Sequence, residues 1–182
     1  MRRQNGPWVI EETILKYKTP WVEVFEDQVI RPDGKQGTFS VVKLLPGISI
    51  LPIDEEGKVY LIKEFKYALG KEAIEAVSGG LDKREEPLEA AKRELREELG
   101  IVAKEIINLG VMHPFTNVVY APAYLFLAKK LQFTSHKQEA TEKIEMYKTT
   151  LAEAVRMVME SKVIHGPSCV LIMKVKEYLK TS

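Results

Sequence analysis

Cysteine is almost missing from this chain: its 182 residues include one, Cys169, so no intrachain disulfide can form. That usage fits a reducing cytosol. Cys169 heads the apolar run Cys169–Met173 and reads as a small buried residue rather than a nucleophile. Histidine is scarce too, and His113, His136 and His165 have no metal-ligand spacing, so each reads as an ordinary surface or core residue. An excess of one charge sign is also lacking, with 27 Lys+Arg against 26 Asp+Glu. The cationic footprint of a nucleic-acid binder is therefore absent, and no nucleic-acid partner is expected. No apolar run nears the roughly 20 residues of a membrane-spanning helix, so no membrane partner is expected either. The opening MRRQNGPW has two basic residues but no apolar segment behind them, unlike a secretory leader. These absences leave a soluble, cytoplasmic protein long enough to bury one good core.

The residues that are present divide the chain into extended and helical stretches. Trp8–Lys18, Trp21–Ile30 and Thr38–Leu45 are rich in Val, Ile, Trp and Phe, and the turn Asp33-Gly34 separates the last two. Residues 1–45 thus read as an N-terminal antiparallel sheet, with a dimerisation role expected, that belongs to the same structural unit as the domain of residues 46–182. Ile48–Ile53 and Val59–Phe65 flank Asp54–Gly57 as a hairpin by composition and spacing. Glu75–Ser78 is extended and ends at Gly79-Gly80. Pro87–Leu99 is the clearest helix, with proline in its first turn, Gly100 after its last residue, and a stripe of Leu88, Ala91, Leu95 and Leu99. Ile106–Met112, Ala123–Ala128 and Lys143–Tyr147 read as strands, and Leu151–Met159 and Ser168–Leu179 as helices. Strands alternating irregularly with a few helices indicate an α/β (α+β) chain, a mixed sheet with helices on its faces. Trp8, Trp21, Phe65 and Tyr67 read mainly as sheet-packing aromatics, with base stacking as the alternative.

The chemistry concentrates on the central helix. At about 100° per residue, Glu94 and Glu98 are one turn apart and Glu97 lies beside them. Three carboxylates in one sector repel one another unless a hard divalent cation such as Mg²⁺ or Mn²⁺ gathers their oxygens. A solvated acidic face relieved by Lys92, Arg93 and Arg96 is the plainer account of the helix alone. The preceding loop adds a glycine turn and Glu85, so the whole segment reads Gly79-x5-Glu85-x7-Arg93-Glu94-Leu95-x-Glu97-Glu98-x-Gly100-Ile101. It resembles the Nudix box at every specified position, over 23 residues.

The resemblance implies the Nudix α/β/α sandwich with its mixed sheet, here with the added N-terminal antiparallel sheet. It implies a metal set of Glu85, Glu94, Glu97 and Glu98 with the carbonyl of Ser78, and Mg²⁺ (or Mn²⁺) as cofactor. Arg93 would hold the acidic side chains by charge-assisted hydrogen bonds. The surroundings look most like the ADP-ribose pyrophosphatase group. Lys63-Glu64-Phe65-Lys66-Tyr67 stands where that group has a Gln-Tyr-Arg-like motif, and Glu75-Ala76-Val77-Ser78-Gly79 where it has Glu-Leu-Pro-Ala-Gly. His113-Pro114 stands at its proline motif, while the acidic residue expected a few positions later is replaced by Val118, Val119 and Tyr120. Lys66, Glu75 and Pro114 are thereby implied as substrate contacts, although Lys66 in place of arginine weakens bidentate phosphate recognition. Glu142, before Lys143-Ile144-Glu145, is implied as general base with Glu139 in reserve; a solvated loop glutamate is the plain alternative for both. Together with Glu97, Glu98 and Arg93, Glu142 completes the implied catalytic set.

The expected activity is metal-dependent hydrolysis of a nucleoside diphosphate sugar, foremost ADP-ribose to AMP and ribose 5-phosphate, by a homodimer. Another nucleotide sugar or a dinucleoside polyphosphate is the alternative substrate. A module that binds a nucleotide sugar without hydrolysing it is the alternative of another class.

Overall fold

The structure, a computed structural model, describes residues 2–134 and 143–181. The chain forms two compact units: Met1–Leu45 with His113–Pro122, and Pro46–Met112 with Ala123–Ser182. Among the described residues no helix is long and apolar enough to cross a membrane.

The first unit is one five-stranded sheet. It contains β1 (Arg3–Asn5), β2 (Trp8–Lys18), β3 (Val22–Ile30), β4 (Gln36–Leu44) and, from the later segment, β10 (Val119–Tyr120). β1 to β4 pair antiparallel in chain order, and β10 lies parallel to β4 through Val119↔Val42. Gly34 takes φ +79 in the β3–β4 turn, as the Asp-Gly signal requires. Trp8 meets Phe39 edge-on at 5.5 Å, near buried Ile10 and Val29. Trp21, like Phe65 and Tyr67 in the second unit, is exposed, so the sheet-packing role expected of those three is not found.

The second unit holds two sheets and three helices among the described residues. One sheet has the order β8 (Val77–Gly80), β5 (Gly47–Pro52), β11 (Ala123–Phe133), β9 (Ile101–Met112). The other has the order β12 (Glu145–Thr150), β6 (Lys58–Lys66), β7 (Lys71–Glu75). The hairpin expected across Asp54–Gly57 is half formed. Its turn closes with Gly57 N–H donating to the Asp54 carbonyl, but a single bridge, Ile53↔Val59, joins the flanking strands before they part into different sheets. The reason is that neither strand has an open edge: β5 lies between β8 and β11, and β6 between β12 and β7.

The two-residue side-chain period splits these strands between two apolar cores. Ile48 and Ile50 of β5, Tyr60 and Ile62 of β6, and Phe126 and Ala128 of β11 join the core beneath α1 (Pro87–Leu99). Leu51, Val59, Leu61, Leu125 and Leu127 point into a second core with α2 (Leu151–Met159) and α3 (Gly166–Tyr178). A helix on one side, strands, and two helices on the other make the α/β/α sandwich. Helix α1 has the expected bounds, with Pro87 at its start and Gly100 in the left-handed region at its end. Its buried face differs from the expected stripe. Leu88, in the first turn, is 39% exposed, while Ala90 and Glu98 are buried beside Ala91, Leu95 and Leu99.

Candidate active site

The segment from Gly79 to Ile101 folds around one guanidinium. A turn forms as Glu85 N–H donates to the Asp82 carbonyl and the Glu85 carboxylate accepts from Asp82 N–H. Arg84 adopts φ +70 there, a region that costs a non-glycine residue about 1–2 kcal/mol. The Glu85 carboxylate then faces helix α1. Arg93 donates to both its oxygens, Nε to Oε1 at 3.0 Å and Nη2 to Oε2 at 2.9 Å. This fork-to-fork geometry is specific to arginine. Arg93 Nη1 donates further to Glu94 Oε1 at 2.7 Å and Glu97 Oε2 at 3.2 Å, and Nη2 to the Gly80 carbonyl. The bonds from Arg93 hold Glu85 below the usual carboxylate range, helped by the Asp82 N–H. The same bonds, with that to Glu85 the strongest, push the guanidinium further up against the opposing pull of burial.

Gly79 has a particular reason to lack a side chain. A Cβ there would overlap the carboxylate of Glu94, which lies flush against the backbone of β8. Glu94 is thus pressed between strand and guanidinium. Glu97 leaves 44% of its side chain in solvent, and Glu98 is 8% exposed at the core edge. Ser78 pairs with Ser49 across β5 and β8, their hydroxyl oxygens 3.0 Å apart.

Three carboxylates sharing one guanidinium leave an excess of negative charge on hard oxygen atoms, the donor chemistry that Mg²⁺ and Mn²⁺ require. The residues therefore fit a divalent cation. They do not form a finished cage: among the described residues, no three His, Cys, Asp or Glu side chains are grouped as a metal cluster. Glu85, Glu94 and Glu97 converge on Arg93 instead.

A second polar group lies in the same unit. Glu75, 5% exposed at the end of β7, places Oε2 3.2 Å from Lys66 Nζ. Lys66 also binds Glu64 Oε2 at 2.7 Å. Burial pulls the Lys66 ammonium down, but Glu64 and Glu75 outweigh it and raise it above its ordinary range. His165 Nδ1 is 3.6 Å from the same Glu75 oxygen and 2.8 Å from Ser168 Oγ. Ser168 Oγ accepts the N–H of Ala76, the residue between β7 and β8. The sequence offered no local signal for the contacts of His165 with Glu75 and Ser168, and the surroundings of His165 are those of an ordinary, partly buried core histidine.

Among the other expected site residues, Pro114 lies in the first unit, half-buried between β9 and β10. Glu142, its reserve Glu139 and His136 lie outside the described residues.

Comparison with known proteins adds an independent line. A family model described as NUDIX domain matches residues 43–162, and one described as nucleoside diphosphate sugar hydrolase N-terminal domain matches residues 15–42. The ADP-ribose pyrophosphatase of Bacillus subtilis (strain 168) is 28% identical over 177 residues, covering 93% of this chain and 96% of the relative. The methanol dehydrogenase activator of Bacillus methanolicus is 25% identical over 169 residues, covering 87% and 88%. A solved structure titled "Crystal structure of ADP compounds hydrolase" superposes with a TM-score of 0.83 at 16% identity, over 98% of this chain and 97% of that one. At that identity the likeness speaks for the fold.

Proposed function

The chain belongs to the Nudix family of hydrolases, and from that premise we propose that it hydrolyses the pyrophosphate of ADP-ribose, releasing AMP and ribose 5-phosphate. The observation that carries the substrate is the joint match of both family models on one chain, at nearly full length with an ADP-ribose pyrophosphatase. Water adds to one phosphorus, the bridging oxygen leaves with the other phosphate, and each product keeps one phosphate.

Glu85, Glu94, Glu97 and Glu98, with the Ser78 carbonyl, are the proposed holders of Mg²⁺ or Mn²⁺. When bound, the cation would neutralise the diphosphate oxygens and favour departure of the leaving phosphate. The protein's own contribution begins with Arg93, which clamps Glu85 and draws Glu94 and Glu97 to one side of α1. That clamp keeps Glu85 ionised, as a cation ligand must be. Lys66 supplies positive charge toward the phosphates and Glu75 an acceptor for a sugar hydroxyl. Glu142, or Glu139, takes the proton of the attacking water in this reading.

A homodimer joined through residues 1–45 and a cytosolic location belong to the same proposal. The exposed apolar side chains Leu15, Tyr17, Trp21, Leu44 and Leu45 support the former. A single cysteine that needs no oxidising compartment accords with the latter.

The test is product analysis on ADP-ribose, ADP-glucose, GDP-mannose and diadenosine compounds with Mg²⁺ and Mn²⁺. AMP and ribose 5-phosphate should form fastest from ADP-ribose. Glu97→Gln and Glu98→Gln should each lower the rate by at least about 10²-fold. Full activity in either folded variant would remove the metal assignment, and faster turnover of another compound would replace the substrate.

A further inference from the structure

An aspartate lies in the middle of the N-terminal sheet, a setting that disfavours its residue type. Asp27 belongs to β3, with Thr13 opposite it on β2 and Phe39 opposite it on β4. The register between β2 and β3 slips by one residue between Ile10 and Glu12. Through that bulge Ile10 and Thr13, three apart, lie opposite Val29 and Asp27, two apart. Thr13 is thereby re-aimed onto the face that carries Ile10. On this face Asp27 is 7% exposed.

The two oxygens of Asp27 are treated differently. Thr13 Oγ1 donates to Oδ1 at 2.5 Å. Oδ2 accepts from no donor among the described residues, and no Lys, Arg or His there pairs with the carboxylate. Oδ2 is not sealed inside the sheet either, so it opens on the cleft that Asp27 lines. Carboxylate oxygen held largely out of water without a donor is costly. The chain supplies no such donor, so the site suits one that arrives from outside.

The cleft decides what kind of donor fits. It measures about 100 Å³ and lies wholly within the first unit. That is well below the roughly 300 Å³ at which pockets take a drug-sized ligand, so it admits a head group and not a whole nucleotide. Its walls are Trp8 and Phe39, 5.5 Å apart and steeply tilted, with aliphatic Ile10, Val29 and Val41. Aromatic faces attract positive charge and an anionic acceptor repels phosphate. A hard metal ion is poorly served, because one carboxylate and the neutral amide of Asn5 fall short of six oxygen ligands.

We propose that this cleft binds the head of an organic cation, an alkylammonium or guanidinium group, which donates to Oδ2 of Asp27 and rests against Trp8 and Phe39. The head belongs either to a free amine or to a Lys or Arg side chain of a second copy of this chain. The site is independent of the Arg93 cluster and of the ADP-ribose reading.

Titration of the full chain with ethylammonium and methylguanidinium tests this. The indole N–H of Trp8 is followed by NMR, with Trp21→Phe assigning the signal, and should shift saturably. Asp27→Asn keeps the acceptor for Thr13 but loses the charge, and should weaken half-saturation about tenfold or more. Phe39→Leu should weaken it about threefold through the lost ring face. Tetramethylammonium, which has charge but no N–H, should bind about tenfold more weakly than ethylammonium. Sedimentation velocity separates the two sources. With the head on a second copy, Asp27→Asn weakens self-association about tenfold and ethylammonium competes with it. With a free amine, neither changes self-association.

A Trp8 signal unmoved by every cation, with self-association equal in the native chain and Asp27→Asn, would overturn the proposal. Equal binding to the native chain and Asp27→Asn would also overturn it, as the mark of an adventitious contact. Should Asp27→Asn fail to fold, tetramethylammonium and Phe39→Leu decide instead. Binding of tetramethylammonium as tight as that of ethylammonium, or unweakened in Phe39→Leu, would then overturn it.

Discussion

The two polar groups of the second unit are built by opposite means. Around Arg93, every partner comes from Gly80 to Glu97, a loop and one helix. Around Glu75, the partners come from β6, the end of β7 and the start of α3, and the hydrogen bond from Ala76 to Ser168 spans 92 residues. The first group is set by local sequence and needs the sheet mainly as a surface to lie on. The second exists only when three elements are already packed. Local clusters tie function to a motif, whereas dispersed ones tie function to the stability of the fold.

Variants at four positions should sharpen or break that contrast. The largest effect belongs to Arg93→Ala, which leaves Glu85, Glu94 and Glu97 without their shared cation; AMP release should fall on the order of 10³-fold. Arg93→Lys should recover little, because an ammonium cannot fork to Glu85. An active, well-folded Arg93→Ala enzyme would show that the local cluster is ornamental.

Gly79→Ala comes next. Its Cβ must displace the Glu94 carboxylate, the movable end of a side chain, so Tm should change little while activity falls because Glu94 leaves its place beside Arg93. An unaltered rate would mean that Glu94 need not lie against β8.

Ser168→Ala addresses the dispersed group. It leaves the Ala76 N–H buried without an acceptor, a loss of about 1–3 kcal/mol, seen as a Tm lowered by roughly 3–10 °C in differential scanning calorimetry. For an enzyme whose Arg93 cluster is local, kcat measured below the transition should change far less than Tm.

The smallest effect concerns pH. The imidazole of His165 is harder to protonate in the folded protein than in the unfolded chain, so the unfolded state takes the proton first. Stability is therefore full above the ordinary histidine range near pH 6.5 and declines as pH falls toward the lower folded value. Comparing urea midpoints from pH 8 to pH 5 for the native chain and His165→Asn would reveal the difference. Identical slopes would count against the burial assigned to that ring.

The same contrast explains what could be read from the sequence. The Nudix box was legible because its spacing is its geometry: the seven residues between Glu85 and Arg93 bring a loop carboxylate back to a helical guanidinium. Pro87 and Gly100 likewise mark both ends of α1 with local backbone chemistry. Where tertiary packing decides, the reading failed. The turn at Asp54–Gly57 looked like that of a hairpin because periodicity reports burial and not partner choice, and β5 and β6 find their partners elsewhere. Trp21, Phe65 and Tyr67 looked like packing residues from type alone, yet they face solvent. The neighbourhood of His165 could not be read at all, because nothing near it in sequence announces Glu75, 90 positions away.

The bond from Ala76 to Ser168 also bears on how the chain comes off the ribosome. At about 5–20 residues per second, Ser168 emerges roughly 5–18 s after Ala76, whose N–H has no side-chain acceptor until then. The parallel pairing of β5 with β11 must likewise wait for Ala123 to reach Gly47. The box helix can therefore be synthesised and coil early while the junction behind it stays wet, and α3, translated well after it, is the helix that seals it.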